Sequence, residues 1–76
     1  MIDIAKVKVG DKVHYQPLHY LTAEPEKWEN GIVKEIPEHT TVYARVVYNC
    51  AGDWENYQNY TSALTSADDL YLGWKH

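Results

Sequence analysis

The stretch TVYARVVY, residues 41–48, decides the fold of this chain. Its residues alternate with a period of two, which is the side-chain period of a β-strand. Four of them then lie on one face and three on the other, namely Val42, Ala44, Val46 and Tyr48 against Tyr43, Arg45 and Val47. Nowhere do apolar residues keep the three- and four-residue spacing of a helix for three turns. The pattern therefore predicts an all-β protein.

Four further segments carry the same strand signal as residues 41–48. They are rich in Val, Ile, Tyr and Thr and lie between turn residues. In chain order the first consists of the alternating pieces 6–9 and 12–16 on either side of Gly10-Asp11, and the other three are 32–36, 57–64 and 70–72. Together with the central stretch they predict five short strands in a single domain that spans residues 1–76.

The connections between these strands predict where the chain turns. Gly31 is expected to supply a bulge or a close backbone approach as the second strand begins. Residues 49–56 are expected to form a hairpin connection, and residues 66–69, SADD, a short capped 3-10 turn before the last strand. The connection over residues 18–29, in which AEPEKW favours one helical turn, is long for so small a domain. Such loops are often functional or disordered.

Size, charge and cysteine content limit how the chain is stabilised and what it binds. A core built from 76 residues is thin, and the single Cys50 cannot form an internal disulfide, so packing must supply the stability. Seven Lys and Arg against eleven Asp and Glu give a net charge of -4, which disfavours binding to a phosphate backbone.

The opening MIDIAKVKVGD lacks a secretory pattern, and no run reaches the length of a membrane span. We therefore expect a cytoplasmic protein without a membrane partner.

No spacing of reactive residues in the sequence specifies a reaction. The four histidines are scattered, Cys50 has no CxxC partner, and Asp68-Asp69 falls in a segment expected to be solvated. A Gly-rich phosphate loop, a GxSxG elbow and an HExxH helix are all absent from the sequence. We therefore expect no catalytic residue, metal site or cofactor, and predict that the protein is not an enzyme.

Several local motifs, taken in order, resemble the small barrel of the Src-homology-3-like (SH3-like) class. VGDKVHY is similar to its opening strand, NGIVKEI to the second, TVYARVVYN to the third, and SADDLYL to the single-turn helix with the closing strand. The resemblance covers roughly residues 7–74 and extends to Tudor and KOW modules and to short bacterial and phage-borne proteins. It implies a five-stranded barrel with a long first loop, but fold similarity does not carry function.

The resemblance also limits the ligands to be expected. The chain has neither the ALYDY-type motif nor the tandem tryptophan of peptide-binding Src-homology-3 domains, and it lacks the basic face of KOW modules. A Tudor-type aromatic cage needs three or four rings that converge with an acidic residue. Trp54, Tyr57, Tyr60 and Glu55 supply that composition.

The aromatic residues are the most informative set in the sequence: three Trp and seven Tyr, with no Phe. Each carries a polar atom that needs a partner when buried, and a core this small cannot hide ten rings. Strand alternation assigns Tyr15 and Tyr48 to the core, and Trp74 is expected to cover one end of the barrel. The predicted partner-binding residues are Trp28, Tyr43, Trp54, Tyr57 and Tyr60.

Three kinds of function follow from this aromatic set. The first is a non-enzymatic binding module that contacts a protein or peptide through an aromatic patch, because Tyr and Trp are favoured at interfaces. The second is single-stranded nucleic-acid binding, with bases stacked on Tyr43, Trp54 or Tyr57 and phosphates held by cations. The cations proposed for this are Lys6, Lys8, Lys12, Lys34 and Arg45. The third is a structural, oligomer-forming subunit, since the sequence does not determine the oligomeric state.

Overall fold

The computed structural model of the protein describes residues 2–17, 28–38, 42–48 and 50–75. Apart from Trp28, the predicted helical turn AEPEKW lies outside these residues, as does most of the long connection before the second strand. The described part contains five strands and three short 3-10 helices, labelled η. They are η1 (Ile4–Lys6), β1 (Lys12–Tyr15), β2 (Glu29–Glu35), β3 (Tyr43–Val47), η2 (Trp54–Asn59), β4 (Ala63–Ser66), η3 (Ala67–Asp69) and β5 (Leu70–Leu72).

All five strands belong to one antiparallel sheet in the order β4-β3-β2-β1-β5. This confirms the prediction of an all-β protein with five strands. The two edge strands, β4 and β5, are joined only by the three residues of η3. Three residues span about 10 Å at most, so the two edges must approach each other at this corner and the sheet must curl. The sheet is nevertheless open, since β4 and β5 are its edges, and closure into a barrel is not part of the observed hydrogen-bonded order.

One face of the sheet holds the main hydrophobic core. Val13, Val33, Val46 and Leu70 are completely buried there. Full burial of a Val or Leu side chain contributes about 1.5–3 kcal/mol, so each of these four positions stabilises the sheet by about that amount. The N-terminal segment covers the core through three further buried residues, which are Ile2, Ile4 and Val7.

The second face of the sheet is also covered, because η2 lies against β2. Ile32 and Val47 face each other across β2 and β3 on this side, and both are buried. Cys50, which follows β3, is a free thiol that is buried as well, as is common for a small apolar side chain. The second strand is thus buried on both faces, and the sheet has a minor core beneath η2.

The predicted fourth strand over residues 57–64 is wrong over its first half. Residues 57–59 belong to η2, and β4 begins only at Ala63. The reason is local hydrogen bonding around Asp53: its carboxylate accepts from Asn56 Nδ2 and from Tyr60 Oη, both at 2.9 Å. Asp and Asn side chains compete with the sheet ladder in this way, and they favour turns over strands. Tyr57 and Tyr60 therefore belong to η2 and to its C-terminal cap, and not to a strand.

Of three other local predictions, two are wrong and one is confirmed. The alternating piece at residues 6–9 is not a strand, since η1 ends at Lys6 and a turn follows it. Val42 precedes β3 and is 52% exposed, although alternation assigns it to the inner face. The predicted 3-10 turn before the last strand is confirmed as η3, with the Ser66 hydroxyl accepting from the Asp68 N–H at 3.3 Å.

The two tyrosines assigned to the core are half-buried and pack against it from the side. Tyr15 and Tyr48 form an edge-to-face pair with ring centroids 5.8 Å apart. The Tyr48 hydroxyl is hydrogen-bonded to Thr65 Oγ1 at 2.8 Å. Burial raises the pKa of Tyr48 to about 12, because the phenolate would lose solvation, while the Thr65 hydroxyl opposes the rise.

Candidate binding surface

The turn that follows the third strand directs η2 back across the sheet. Ala51 and Gly52 both adopt the left-handed backbone region, with φ of 52° and 82°, and reverse the chain directly after buried Cys50. The left-handed conformation costs a non-glycine residue about 1–2 kcal/mol, which the hydrogen bonds of the turn offset. The Asp53 N–H donates to Cys50 O at 2.9 Å and closes the turn. Trp54 is thereby held over the sheet instead of continuing the hairpin.

Asp53 fixes the shape of η2 by binding both of its ends. Besides its two side-chain hydrogen bonds, its carbonyl oxygen accepts from Asn56 N at 3.1 Å. The hydrogen bond to Asp53 raises the pKa of the Tyr60 phenol, since an ionised phenol would lose that bond and face a like charge. Lys34 holds the far end of η2 by donating from Nζ to Tyr60 O at 2.7 Å.

The segment after β5 returns over the same face. Gly73 has a φ of 84° and donates its N–H to Lys12 O at 2.8 Å. The Trp74 indole Nε1 donates to Gly31 O at 2.8 Å, and Lys75 N donates to Asn30 Oδ1 at 2.9 Å. These hydrogen bonds attach the C-terminal segment to the first two strands.

These two segments bring Trp54 and Trp74 into contact beside Lys12, and Lys75 connects this pair to Trp28. The rings of Trp54 and Trp74 are 4.9 Å apart between centroids and inclined by 55°. Lys12 Nζ lies 4.6 Å from the centroid of Trp74, and Lys75 Nζ lies 5.5 Å from the centroid of Trp28. All three rings are partly exposed. We call these five residues the tryptophan surface.

The predicted partner-binding residues divide among three locations. Trp28 and Trp54 belong to the tryptophan surface. Tyr57 and Tyr60 are half-buried in or beside η2, where the Tyr57 hydroxyl lies against Gly10 and the Tyr60 hydroxyl binds Asp53. Both tyrosines therefore support the helix that carries Trp54.

Tyr43 lies apart from the tryptophan surface. It begins β3, pairs with Ser66 of β4 and is 42% exposed. Four residues separate it from Val47, which is about 13 Å along an extended strand. The predicted partner-binding residues thus do not form one continuous surface.

Sequence reasoning missed the central role of Trp74. It was expected to cover one end of a barrel, whereas it joins Trp54, Lys12 and the start of β2. The position of Gly73 before it was the available signal, because glycine permits the left-handed turn that returns the chain to the sheet.

A second aromatic pair extends the same face of the sheet. His14 and Tyr71 face each other across β1 and β5, and their rings stack with centroids 5.3 Å apart. His14 Nδ1 lies 2.8 Å from Gly73 O and carries the proton of that hydrogen bond, because a carbonyl oxygen only accepts. This pair fixes the turn from which Trp74 emerges.

The described residues determine what kind of contact this surface can make. No group of three or more His, Cys, Asp or Glu side chains suited to a metal ion occurs among them. The cations of the surface contact aromatic rings, and within the described ranges neither Lys12 nor Lys75 forms an ion pair. The arrangement suits contact with another molecule through ring faces and ammonium groups.

Comparison with known proteins leaves the geometry as the basis for a functional conclusion. No protein-family model, no curated protein and no solved structure matches this chain. Among the described residues there is also no helix with the length and apolar character needed to cross a lipid bilayer.

Proposed function

We propose that this protein is a non-enzymatic binding module that holds a protein or peptide segment on the tryptophan surface. The observation that carries the proposal is the contact between the partly exposed rings of Trp54 and Trp74 beside Lys12, with partly exposed Trp28 joined to this group through Lys75. Tryptophan is among the residues that contribute most to protein interfaces, where truncation of one buried ring often costs 2 kcal/mol or more.

The attachment of the rings supports this proposal. The Trp74 ring is held by its bond to Gly31 O, and Trp54 by a helix fixed through Asp53. A surface whose side chains are already ordered loses little conformational entropy when a ligand binds. Lys12 and Lys75 add positive charge beside the rings, so a ligand segment with an acidic residue next to an apolar one fits best.

We further propose that the sheet belongs to the SH3-like class of small barrels. The strand order β4-β3-β2-β1-β5 and the single-turn η3 between the two edge strands support this assignment. In this interpretation, the tryptophan surface is built from η2 and the segment after the closing strand. The absence of the ALYDY-type motif agrees with a ligand that is not rich in proline.

Selection from a displayed library of random 12-residue peptides tests the proposed function. Enriched peptides are synthesised and titrated against the protein while tryptophan fluorescence is followed, because all three tryptophans lie at the proposed site. We expect Trp54→Ala to weaken binding at least about tenfold, which corresponds to 1.4 kcal/mol. Tyr43→Ala, on the distant part of β3, is the matched control and should change affinity less than about twofold.

Two results would contradict this function. One is a selection in which no peptide is enriched over the Trp54→Ala variant used as a counter-target. The other is equal loss of affinity in the Trp54 and Tyr43 variants. Thermal unfolding of each variant, followed by circular dichroism, separates lost binding from lost folding.

A second candidate function is single-stranded nucleic-acid binding, and the position of Lys12 beside Trp74 favours it. A base stacked on such a ring gains about 1–3 kcal/mol, and the ammonium group is available for a phosphate. Titration with oligothymidylate at low and at physiological salt tests this candidate. Affinity must fall steeply as salt is raised, so binding that does not depend on salt would exclude it.

A further inference from the structure

The free edge of β4 is a second surface that the proposed function does not use. Among the residues that the structure describes, β4 pairs with β3 along one side only, and it is an edge of the sheet. Natural edge strands are usually protected from pairing by charged residues or proline. Residues 60–67, YTSALTSA, contain neither.

The hydrogen-bonding register between β3 and β4 shows which backbone groups of β4 point away from the sheet. The Ala67 N–H donates to Val42 O at 2.7 Å, so these two residues form a hydrogen-bonded pair. Such pairs alternate along an antiparallel ladder, which makes Thr65 and Ala63 the next residues bonded toward β3. The N–H and C=O groups of Leu64 and Ser66 therefore point outward from the sheet.

The side chains at this edge are also apolar and exposed. Leu64 is 53% exposed and Tyr43, one position away diagonally on the same face, is 42% exposed. Arg45 lies directly opposite Leu64 on β3 and pairs on its other side with Glu35, so the face beside β4 carries both signs of charge.

We propose that β4 pairs with β4 of a second copy of this chain, antiparallel and centred on Leu64. The sequence around Leu64 is nearly palindromic, SALTS over residues 62–66. In this register Leu64 faces Leu64 and Ser62 faces Ser66, so these pairs match, while Ala63 faces Thr65 and brings no charge into the contact. The outward groups of Leu64 then form two hydrogen bonds on the two-fold axis.

A second copy fits this edge better than the other edge of the sheet. Self-pairing of β5 around Leu72 would place Leu70 opposite Trp74 and Tyr71 opposite Gly73, which are poorly matched pairs. Centring on Leu70 would instead bring Asp68 and Asp69 into the interface. Because a chain with a net charge of -4 repels its copy, an uncharged contact such as β4 is the favourable place for self-association.

The dimer is expected to be weak, because five facing pairs are fewer than the roughly 20–30 residues a side of a standard stable interface. Sedimentation equilibrium from about 10 μM to about 1 mM covers the affinity range expected for such a contact. The weight-average mass should rise from 8.8 kDa toward twice that value. Hydrogen exchange should slow at the Leu64 and Ser66 amides as concentration increases.

Matched variants decide whether β4 is the contact. Leu64→Lys should remain monomeric up to about 1 mM, whereas Leu72→Lys, the same change at the exposed leucine of the other edge, should dimerise as the unaltered chain does. Leu64→Pro removes only an outward N–H, so it should fold normally and also stay monomeric. Trp54→Ala should leave the dimer intact.

Any of several results would overturn the β4 pairing. One is an unaltered protein that is still monomeric at about 1 mM. The others are a Leu64→Lys variant that still dimerises, and a Leu72→Lys variant that loses the dimer as completely as Leu64→Lys does. Loss of the dimer in Trp54→Ala would assign the contact to the tryptophan surface instead. A negative result here leaves the peptide-binding proposal standing, because the two surfaces are tested by different variants.

Discussion

Replacement of Gly31 by alanine should destabilise the protein by forcing two strands apart. A Cβ atom at this position would lie 2.6 Å from Val46 Cγ1, 2.8 Å from Val47 O and 2.9 Å from Tyr48 Cδ1. Carbon and oxygen atoms do not approach so closely without a shift. One of the three contacts is with backbone, so a side-chain rotation alone cannot relieve the crowding. This confirms the close approach predicted at Gly31.

Two opposing effects determine how much stability Gly31→Ala loses. Overpacking of a buried site costs typically about 1–3 kcal/mol. Alanine is preferred over glycine within a strand by roughly 0.5–1 kcal/mol, which offsets part of that cost. A net loss of about 1–2 kcal/mol lowers the melting temperature by about 4–16 °C for a domain of this size.

Urea and thermal unfolding, followed by circular dichroism and tryptophan fluorescence, measure this loss. Gly31 O accepts the indole hydrogen bond of Trp74, so the native fluorescence should also change in Gly31→Ala. Gly52→Ala is the control: its φ is 82° and a Cβ there meets nothing within 4 Å. That variant costs backbone strain of about 1–2 kcal/mol with no change in native fluorescence.

A double variant separates crowding from strain. Val46→Ala removes the closest contact of the new methyl group, so its cost should be smaller in the Gly31→Ala background than alone. In the Gly52→Ala background the two costs should add. The reasoning is refuted if Gly31→Ala is as stable as the unaltered protein, or if Val46→Ala is fully additive with it.

Three further predictions concern single hydrogen bonds. The folded-state pKa of Tyr48, about 12, exceeds the ordinary value of 10.0, so the stability from its neutral phenol is complete below pH 10 and is lost as pH rises toward 12. Tyr48→Phe should lose about 1 kcal/mol at pH 8 and show a smaller alkaline decline in the urea midpoint, and an equal decline in both proteins would contradict this. Asp53→Ala should lower the phenol pKa of Tyr60 and speed amide exchange over residues 54–60, whereas unchanged exchange would mean that Asp53 does not hold η2. Trp74→Phe should cost about 1 kcal/mol in urea unfolding through the unpaired carbonyl of Gly31, and no loss would show that the indole bond is dispensable.

The local sequence was sufficient to predict those features whose structure depends only on residues near them in the chain. The alternation around Val46 predicted β3, Gly31 predicted the close approach, and the SADD sequence predicted η3. In each case the signal and the structure lie within a few residues of each other. The same local reasoning was wrong at residues 57–59, where strand-forming tyrosines are outweighed by side-chain hydrogen bonds to Asp53.

The sequence by itself determined that this protein is an all-β sheet of five short strands, because strand alternation, turns and caps depend on neighbours along the chain. Only the tertiary structure decided which rings come together. Trp28, Trp54 and Trp74 lie far apart in sequence, and two left-handed turns, at Gly52 and Gly73, direct Trp54 and Trp74 over the sheet. No periodicity encodes such a convergence, since it depends on how η2 and the C-terminal segment pack against strands distant from them in the chain.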